Sequence, residues 1–275
     1  MAIENRQSVP RRVAALLEVV LLLAATLTAV GLVANSSWAV RQQVVLEKPF
    51  LEYLVLMAVP VGVLLLTGRG LKPYGISAHR LKDNAHGALL CMVPYAGAHG
   101  LLLLASPPPV LSAALGTLLA LGVLFLSTRL LPPRASGEGV VICLALPLVL
   151  LGGQGPASAA SALTFHVLFL GPGEEILFRG YLQSRLNQAF GRPWTYRGVQ
   201  MGWGLPLTAA LFGIFHLLNL PELYAGHLGL DWGTGVSTAA WGLFFGYLRE
   251  WSGSVVAPAM VHGIPQGMAM AMMEW

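Results

Sequence analysis

The sequence predicts an all-α protein, a polytopic bundle of transmembrane helices. Of its 275 residues, 56% are hydrophobic and only 10% are charged, and the mean hydropathy is +0.69. Long apolar runs follow one another with short connections, as expected of a chain whose solvent is the lipid bilayer. This composition argues against a soluble domain. A net charge of +4 is too modest to indicate a nucleic-acid partner.

Nine apolar segments are candidate membrane spans, and several are shorter than the roughly 20 residues that cross hydrocarbon upright. We therefore expect about eight or nine spans, in which short segments near polar motifs form broken or buried helices. The first segment lacks a small-residue cleavage site and is predicted to be an uncleaved span. The segments are 13–34, 50–67, 85–106, 109–128, 139–153, 158–172, 201–218, 233–248 and 254–273.

Positive charges are concentrated in alternate loops, and this asymmetry predicts the orientation of the bundle. The loops opposite hold only Arg41 and Lys48, with Glu222 and Asp231 further along the chain. The basic loops carry Arg6, Arg11, Arg12, Arg69, Lys72, Arg80, Lys82, Arg129, Arg134, Arg185, Arg192, Arg197 and Arg249. The positive-inside rule then predicts a cytoplasmic N-terminus for a multi-pass protein, most simply of the plasma (inner) membrane.

A stretch rich in Gly, Ala and Ser at residues 152–161 is predicted to be a flexible junction between two parts. Residues 1–157 would form an N-terminal set of accessory transmembrane helices. Residues 158–275 would form a core of four helices that carries the polar motifs. The chain leaves no room for a further globular domain beside so many spans.

Two adjacent carboxylates and an arginine interrupt the apolar pattern at residues 174–179. Ionisable groups at membrane depth are expensive and survive when they are paired or functional. Glu175 and Arg179 are four residues apart, so on a helix they share a face and can form an ion pair. Glu174 lies about 100° around the helix without an obvious local partner, which makes it the candidate general base.

Straight spans would place Glu174 and the next polar motif at opposite membrane faces. A helix break at the glycines and proline of segment 171–173 would let the two motifs lie at the same depth, because both residue types break helices. We therefore expect the preceding helix to end there and a new helix to begin at Glu174. The carboxylates would then lie at a helix N-terminus, where the helix dipole favours negative charge.

Two histidines in later apolar segments complete the candidate site. His216 shares a helical face with Phe212, whose ring would fix the orientation of the imidazole. His262 precedes Gln266 by one turn, and together their donors would stabilise an oxyanion. A carboxylate and two imidazoles brought together in a bilayer indicate hydrolytic chemistry.

In their order and spacing these motifs resemble the CPBP family, the CAAX proteases and bacteriocin-processing enzymes, which are glutamic-type intramembrane proteases. The resemblance covers residues 158–275 and rests on Glu174-Glu175-x3-Arg179, Phe212-x3-His216 and His262. It implies that Glu174 and His216 activate the attacking water. It further implies that His262 and position 266 bind the carbonyl oxyanion. The family has asparagine where this chain has Gln266, whose amide reaches one methylene further.

The sequence therefore favours an intramembrane endopeptidase that acts on a prenylated, leader-bearing or membrane-anchored peptide or protein. Its partners would be that substrate and the lipid bilayer, with no cofactor and an undetermined oligomeric state. Three alternatives stay open. The first is a zinc protease, because Glu174, His216 and His262 also suffice as zinc ligands. The second is a non-catalytic immunity or scaffold protein. The third, a small-solute transporter, lacks the expected matching halves.

The other polar residues of the apolar runs are predicted to have only structural roles. Glu18, His86, His99 and His166 have no partner at a convincing spacing, so we expect them to support packing or to reach the membrane interface.

Overall fold

A computed structural model of the chain describes residues 9–77, 80–105, 108–132, 156–218, 222–223 and 226–274. Within these residues the fold is all-α with one short hairpin, as the sequence predicts. The apolar segment predicted at 139–153 and the basic residue Arg134 lie outside the described residues. The N-terminal half contains α1 (Val9–Ala34), α2 (Ser37–Leu46), α3 (Phe50–Leu66), a 3₁₀ turn (Lys72–Tyr74), α4 (Leu81–Ala105) and α5 (Pro109–Leu130).

The C-terminal half begins with one long helical stretch, from residue 156 to residue 190, whose hydrogen-bonding pattern changes along its length. Its segments are α6 (Pro156–Phe165), a π segment (His166–Leu170), α7 (Gly171–Glu175), a second π segment (Ile176–Leu182) and α8 (Gln183–Phe190). The chain then forms β1 (Trp194–Tyr196), β2 (Val199–Met201), α9 (Gly204–Leu217), α10 (Trp232–Ser252) and α11 (Val256–Glu274). Residues 156–161 are helical, so that part of the predicted flexible junction is wrong.

The short hairpin reverses the chain between α8 and α9. Trp194 pairs with Met201 in an antiparallel register, and the two-residue loop has positive φ at Arg197 and Gly198. Two left-handed residues in a two-residue loop match the twist of the strands, and glycine takes this backbone at the least steric cost. Helix α9 consequently runs back along α8, which brings its C-terminal end to the depth of α7.

The predicted break at the Gly-Pro-Gly sequence of segment 171–173 is wrong, because the backbone stays helical through it. The N–H of Gly171 bonds to the carbonyl of His166, five residues earlier. This widened π turn accommodates Pro172, which has no N–H to donate and whose ring crowds the preceding turn of an α-helix. Glu174 and Glu175 therefore lie in the middle of a long helix, and the expected helix N-terminus is absent there.

The glycines of this segment serve close helix packing instead of a break. A Cβ atom on Gly171 would lie 2.6 Å from the carbonyl oxygen of Ala259, and one on Gly263 would lie 2.3 Å from that of His166. On the other face, a Cβ on Gly173 would approach a ring carbon of Tyr53 to 3.2 Å. Small residues let helices approach closely where lipid gives no hydrophobic driving force. α7 consequently packs closely against α3 on one side and α11 on the other.

By length and hydropathy, two of the described helices are suited to cross a membrane: Val9–Ala34 and Val110–Leu130. Phe50–Leu66 and Gly204–Leu217 are shorter apolar helices. The count of eight or nine spans therefore stays a prediction, and so does the division of the chain at residue 157. Two buried apolar clusters connect the halves, because each combines side chains from residues before 132 and after 156.

Candidate active site

Glu174 lies buried at the point where α3, α7, α9 and α11 meet. Its Oε1 accepts a hydrogen bond of 3.1 Å from the hydroxyl of Tyr53. Its Oε2 has no hydrogen-bond partner among the described residues. That oxygen lies 3.9 Å from Nε2 of His216 and 3.9 Å from Nε2 of His262. A buried acceptor without a partner is costly, so one expects a ligand or water at such a position.

His216 is held by its own helix near the C-terminal end of α9. Its Nδ1 lies 2.8 Å from the carbonyl oxygen of Phe212, one turn earlier, and the two rings meet at a centroid distance of 4.4 Å. A carbonyl oxygen only accepts, so Nδ1 carries a hydrogen, and in the tautomer with a single N–H the lone pair is at Nε2. The structure therefore aims an acceptor nitrogen of His216 at the free oxygen of Glu174.

His262 is held by a different kind of partner, a carboxylate. Its Nδ1 lies 3.0 Å from Oε1 of Glu175, and its ring stacks on Phe245 at a centroid distance of 4.6 Å. Because the carboxylate accepts, Nδ1 again carries a hydrogen. The imidazole of His262 is buried, whereas 24% of the His216 side chain is exposed. The two imidazoles consequently sit in different environments although both approach Glu174.

Glu175 and Arg179 form the ion pair that their spacing predicts. Nη1 of Arg179 donates to Oε1 of Glu175 at 3.1 Å, and both side chains are fully buried. The guanidinium also lies 4.2 Å from the ring centroid of Phe212, and Nη2 lies 3.4 Å from the carbonyl oxygen of Gly242. One oxygen of Glu175 thus binds both Arg179 and His262, which ties the α7 acidic pair to α11.

Gln266 differs from the other five predicted site residues, because its amide is engaged outside the cluster. Nε2 of Gln266 donates to the hydroxyl of Tyr95 on α4 at 3.1 Å. Tyr95 is buried and stacks against His99, one turn further along α4. An asparagine at 266 would be one methylene shorter than the glutamine. The role of Gln266 at an oxyanion stays a prediction.

We expect Gln266→Asn to keep or raise peptide hydrolysis by this protein, because the shorter amide would not reach Tyr95 and would be available to an oxyanion at His262, one helical turn earlier. The steady-state rate constant of purified enzyme checks this, with Tyr95→Phe as the matched variant that removes the same hydrogen bond from the other side. A loss of activity in Gln266→Asn that Tyr95→Phe reproduces would contradict the expectation, since the Gln266–Tyr95 contact itself would then be required.

The three candidate zinc ligands lie slightly further apart than the ligands of a zinc ion do. Zinc ligands about 2.0–2.2 Å from one tetrahedral centre lie about 3.4 Å from each other. The Nε2 atoms of His216 and His262 are both 3.9 Å from the nearest Glu174 oxygen. In the part of the chain that the structure describes, no group of three or more His, Cys, Asp or Glu is arranged to hold a metal ion.

Two residues that contact the site escape sequence reasoning, and one prediction about a residue outside the site is wrong. Tyr53 and Tyr95 contact the site from helices more than 70 residues away in sequence, so no local spacing could reveal them. Glu18, predicted to lack a partner, accepts hydrogen bonds from Arg69, Arg185 and Tyr181 and anchors α1 to the end of the bundle. Hydrogen bonding by Glu18 raises the pKa of Arg69, so the connector after α3 stays charged.

A comparison with protein families finds a similarity in the C-terminal part of the chain. Residues 156–268 match the family model described as Type II CAAX prenyl endopeptidase Rce1-like. This range contains all six predicted site residues and leaves Tyr53 and Tyr95 outside. No curated protein and no solved structure is matched by the chain.

Proposed function

We propose that this protein hydrolyses peptide bonds within or next to the membrane. Residues 156–268 match the Rce1-like family of type II CAAX prenyl endopeptidases. This is a membrane-embedded family of peptide hydrolases. The observation that carries the proposal is the free oxygen of Glu174, buried and equidistant from two imidazoles. A water molecule between these atoms would satisfy the oxygen and would be held for attack.

Glu174 and His216 together activate the water. Both present acceptors, a carboxylate oxygen and the Nε2 lone pair, so a water between them donates its two hydrogens to them. The lone pairs of the water oxygen then point away from both groups, toward a bound peptide. As the oxygen attacks the carbonyl carbon, one proton passes to Glu174, the general base. The tetrahedral intermediate then breaks its C–N bond, and Glu174 returns the proton to the leaving amine.

His262 stabilises the charge that develops on the carbonyl oxygen. Its Nδ1–H is bound by Glu175, so its Nε2 becomes a donor only when the ring is doubly protonated. Arg179 and Glu175 are thus positioning residues, which hold the donor of His262 at the oxyanion.

An apolar cavity lies beside the helix that carries Glu174, on the face turned away from the carboxylate. It has a volume of about 400 Å³ and lies between the helix of Glu174 and α11, where Pro172 and Ile176 flank the carboxylate in sequence. The remaining lining residues are Ile76, Ser77, Val167, Val255, Val256, Ala259, Met260 and Ile264. A prenyl chain in this cavity would anchor the substrate to the helix that carries Glu174. The cytoplasmic N-terminus and the plasma membrane location stay predictions from the loop charges.

The test is cleavage of a farnesylated, internally quenched peptide that ends in a Cys-aliphatic-aliphatic-X sequence, by purified protein in lipid vesicles. We expect release of the last three residues, identified by mass spectrometry, at a rate that 1,10-phenanthroline does not change. The same peptide without farnesyl, and one with a bacteriocin-type leader, separate the three substrate classes. Failure to cleave any of them would refute the hydrolase proposal and favour the non-catalytic alternative.

Metal dependence is decided by the same assay. Loss of activity with the chelator, restored by added zinc, together with stoichiometric zinc in the purified protein, would refute the water activation by Glu174 and His216 as described. It would establish Glu174, His216 and His262 as zinc ligands instead. Activity that persists in protein shown to contain no metal would exclude that alternative.

A further inference from the structure

We propose that Tyr53 is a positioning residue for the general base: it binds one oxygen of Glu174 and thereby turns the other toward the two histidines. The inference rests on the proposed function but adds a component from outside the family match, since Tyr53 lies on α3 and the match begins at residue 156. The catalytic core would therefore be incomplete without the N-terminal helices.

The two oxygens of Glu174 have unequal surroundings, and Tyr53 is the cause. Oε1 accepts from the Tyr53 hydroxyl at 3.1 Å, whereas Oε2 has no partner among the described residues. A carboxylate that lacked this bond could rotate, and its oxygens would exchange places or turn away from the imidazoles. A fixed orientation at the reacting atom matters because small displacements of catalytic groups cost large factors in rate.

Tyr53 is itself held rigidly enough to define that orientation. Its ring meets Phe165 edge to face, with a centroid distance of 5.0 Å and an interplanar angle of 85°. Its ring carbon Cδ1 faces Gly173, the residue before Glu174, where any Cβ would be 3.2 Å away. The glycine thus lets α3 approach until the hydroxyl reaches the carboxylate. These contacts fix the position of the Tyr53 ring, and the rigid ring fixes the position of its hydroxyl oxygen.

The chain contains a matched control for this contact. Tyr181 also donates to a glutamate, Glu18, with an oxygen–oxygen distance of 2.6 Å at the polar end of the bundle. Tyr53→Phe and Tyr181→Phe therefore remove the same atom and the same kind of hydrogen bond. They differ in whether the glutamate belongs to the site. A general effect of losing a tyrosine–glutamate bond would appear in both variants.

In the peptide assay we expect Tyr53→Phe to lower kcat about tenfold to a hundredfold and to leave KM within about twofold, because a hydrogen bond to a charged group is lost without a change in the substrate surface. Tyr181→Phe should keep kcat within about twofold. An unchanged kcat in folded Tyr53→Phe protein would overturn the proposal. A rise in KM alone would also overturn it, since Tyr53 would then bind substrate.

A second readout does not depend on activity. The infrared carboxylate band of Glu174 is obtained by subtracting the spectrum of Glu174→Gln from that of the wild type. We expect this band to shift when the same subtraction is made in the Tyr53→Phe background and to stay in place in the Tyr181→Phe background. An unshifted band overturns the proposal even if the protein cleaves no peptide. If Tyr53→Phe does not fold, the phenol band of Tyr53 is compared between wild type and Glu174→Ala, which removes the acceptor. A shift of that band supports the proposal, and an unshifted band overturns it.

Discussion

Glu174→Gln is expected to reduce peptide cleavage by about 10³-fold while leaving the fold intact. Glutamine has the same shape and its amide oxygen can still accept from Tyr53, so the contact with α3 is kept. The amide cannot take a proton from water, and general base catalysis contributes about 10²–10⁴ to the rate. The measurement is kcat for the farnesylated peptide, with the melting temperature recorded on the same preparation.

The control for this prediction is Glu52→Gln. Glu52 is also a buried glutamate, but it lies on α3 instead of α7. Oε1 of Glu52 accepts from the amide of Gln43 at 2.6 Å. We expect its activity to stay within about twofold of the wild type. If Glu174→Gln cleaves as well as the wild type, Glu174 is not the base. If Glu175→Gln alone abolishes cleavage at full stability, the base is Glu175.

Glu175→Ala is expected to produce the largest loss of stability. It leaves the guanidinium of Arg179 fully buried without its carboxylate and removes the acceptor that holds Nδ1 of His262. Breaking a buried ion pair by removing one partner costs about 3–5 kcal/mol of unfolding free energy. The contacts of Arg179 with aromatic rings offset only part of this cost. Thermal unfolding in detergent should show a melting temperature lowered by several degrees, together with lost activity.

Two comparisons make that prediction specific. Arg80→Ala breaks an ion pair with Asp83 that is about one third exposed on both sides, so no measurable change in melting temperature is expected. The double variant Glu175→Ala/Arg179→Met removes both charges and should recover much of the stability without recovering activity, because His262 still lacks its acceptor. An unchanged melting temperature in Glu175→Ala would show that the Glu175–Arg179 ion pair contributes little to the free energy of unfolding.

Local spacing was sufficient to predict the contacts within single helices. Glu175 and Arg179 are four residues apart and form the expected ion pair, and Phe212 and His216 make the expected ring contact. The helix interruption was predicted incorrectly, because Gly and Pro indicate a break only when nothing else compensates. Here Gly171 and Gly263 remove the Cβ atoms that would separate two helices, and a π turn absorbs the proline. Neither effect is local, so neither could be deduced from segment 171–173 alone.

The sequence by itself determined the chemistry that this protein can carry, because helical periodicity and hydropathy depend only on residue type and spacing. It determined an all-α chain with Glu174, His216 and His262 in apolar segments. The tertiary structure decided how these groups are used. Contacts between helices place Tyr53 on one oxygen of Glu174, Glu175 on the ring of His262, and Tyr95 on the amide of Gln266. Such contacts depend on the distances between helix axes and on which faces meet, and these are set by the packing of the whole bundle.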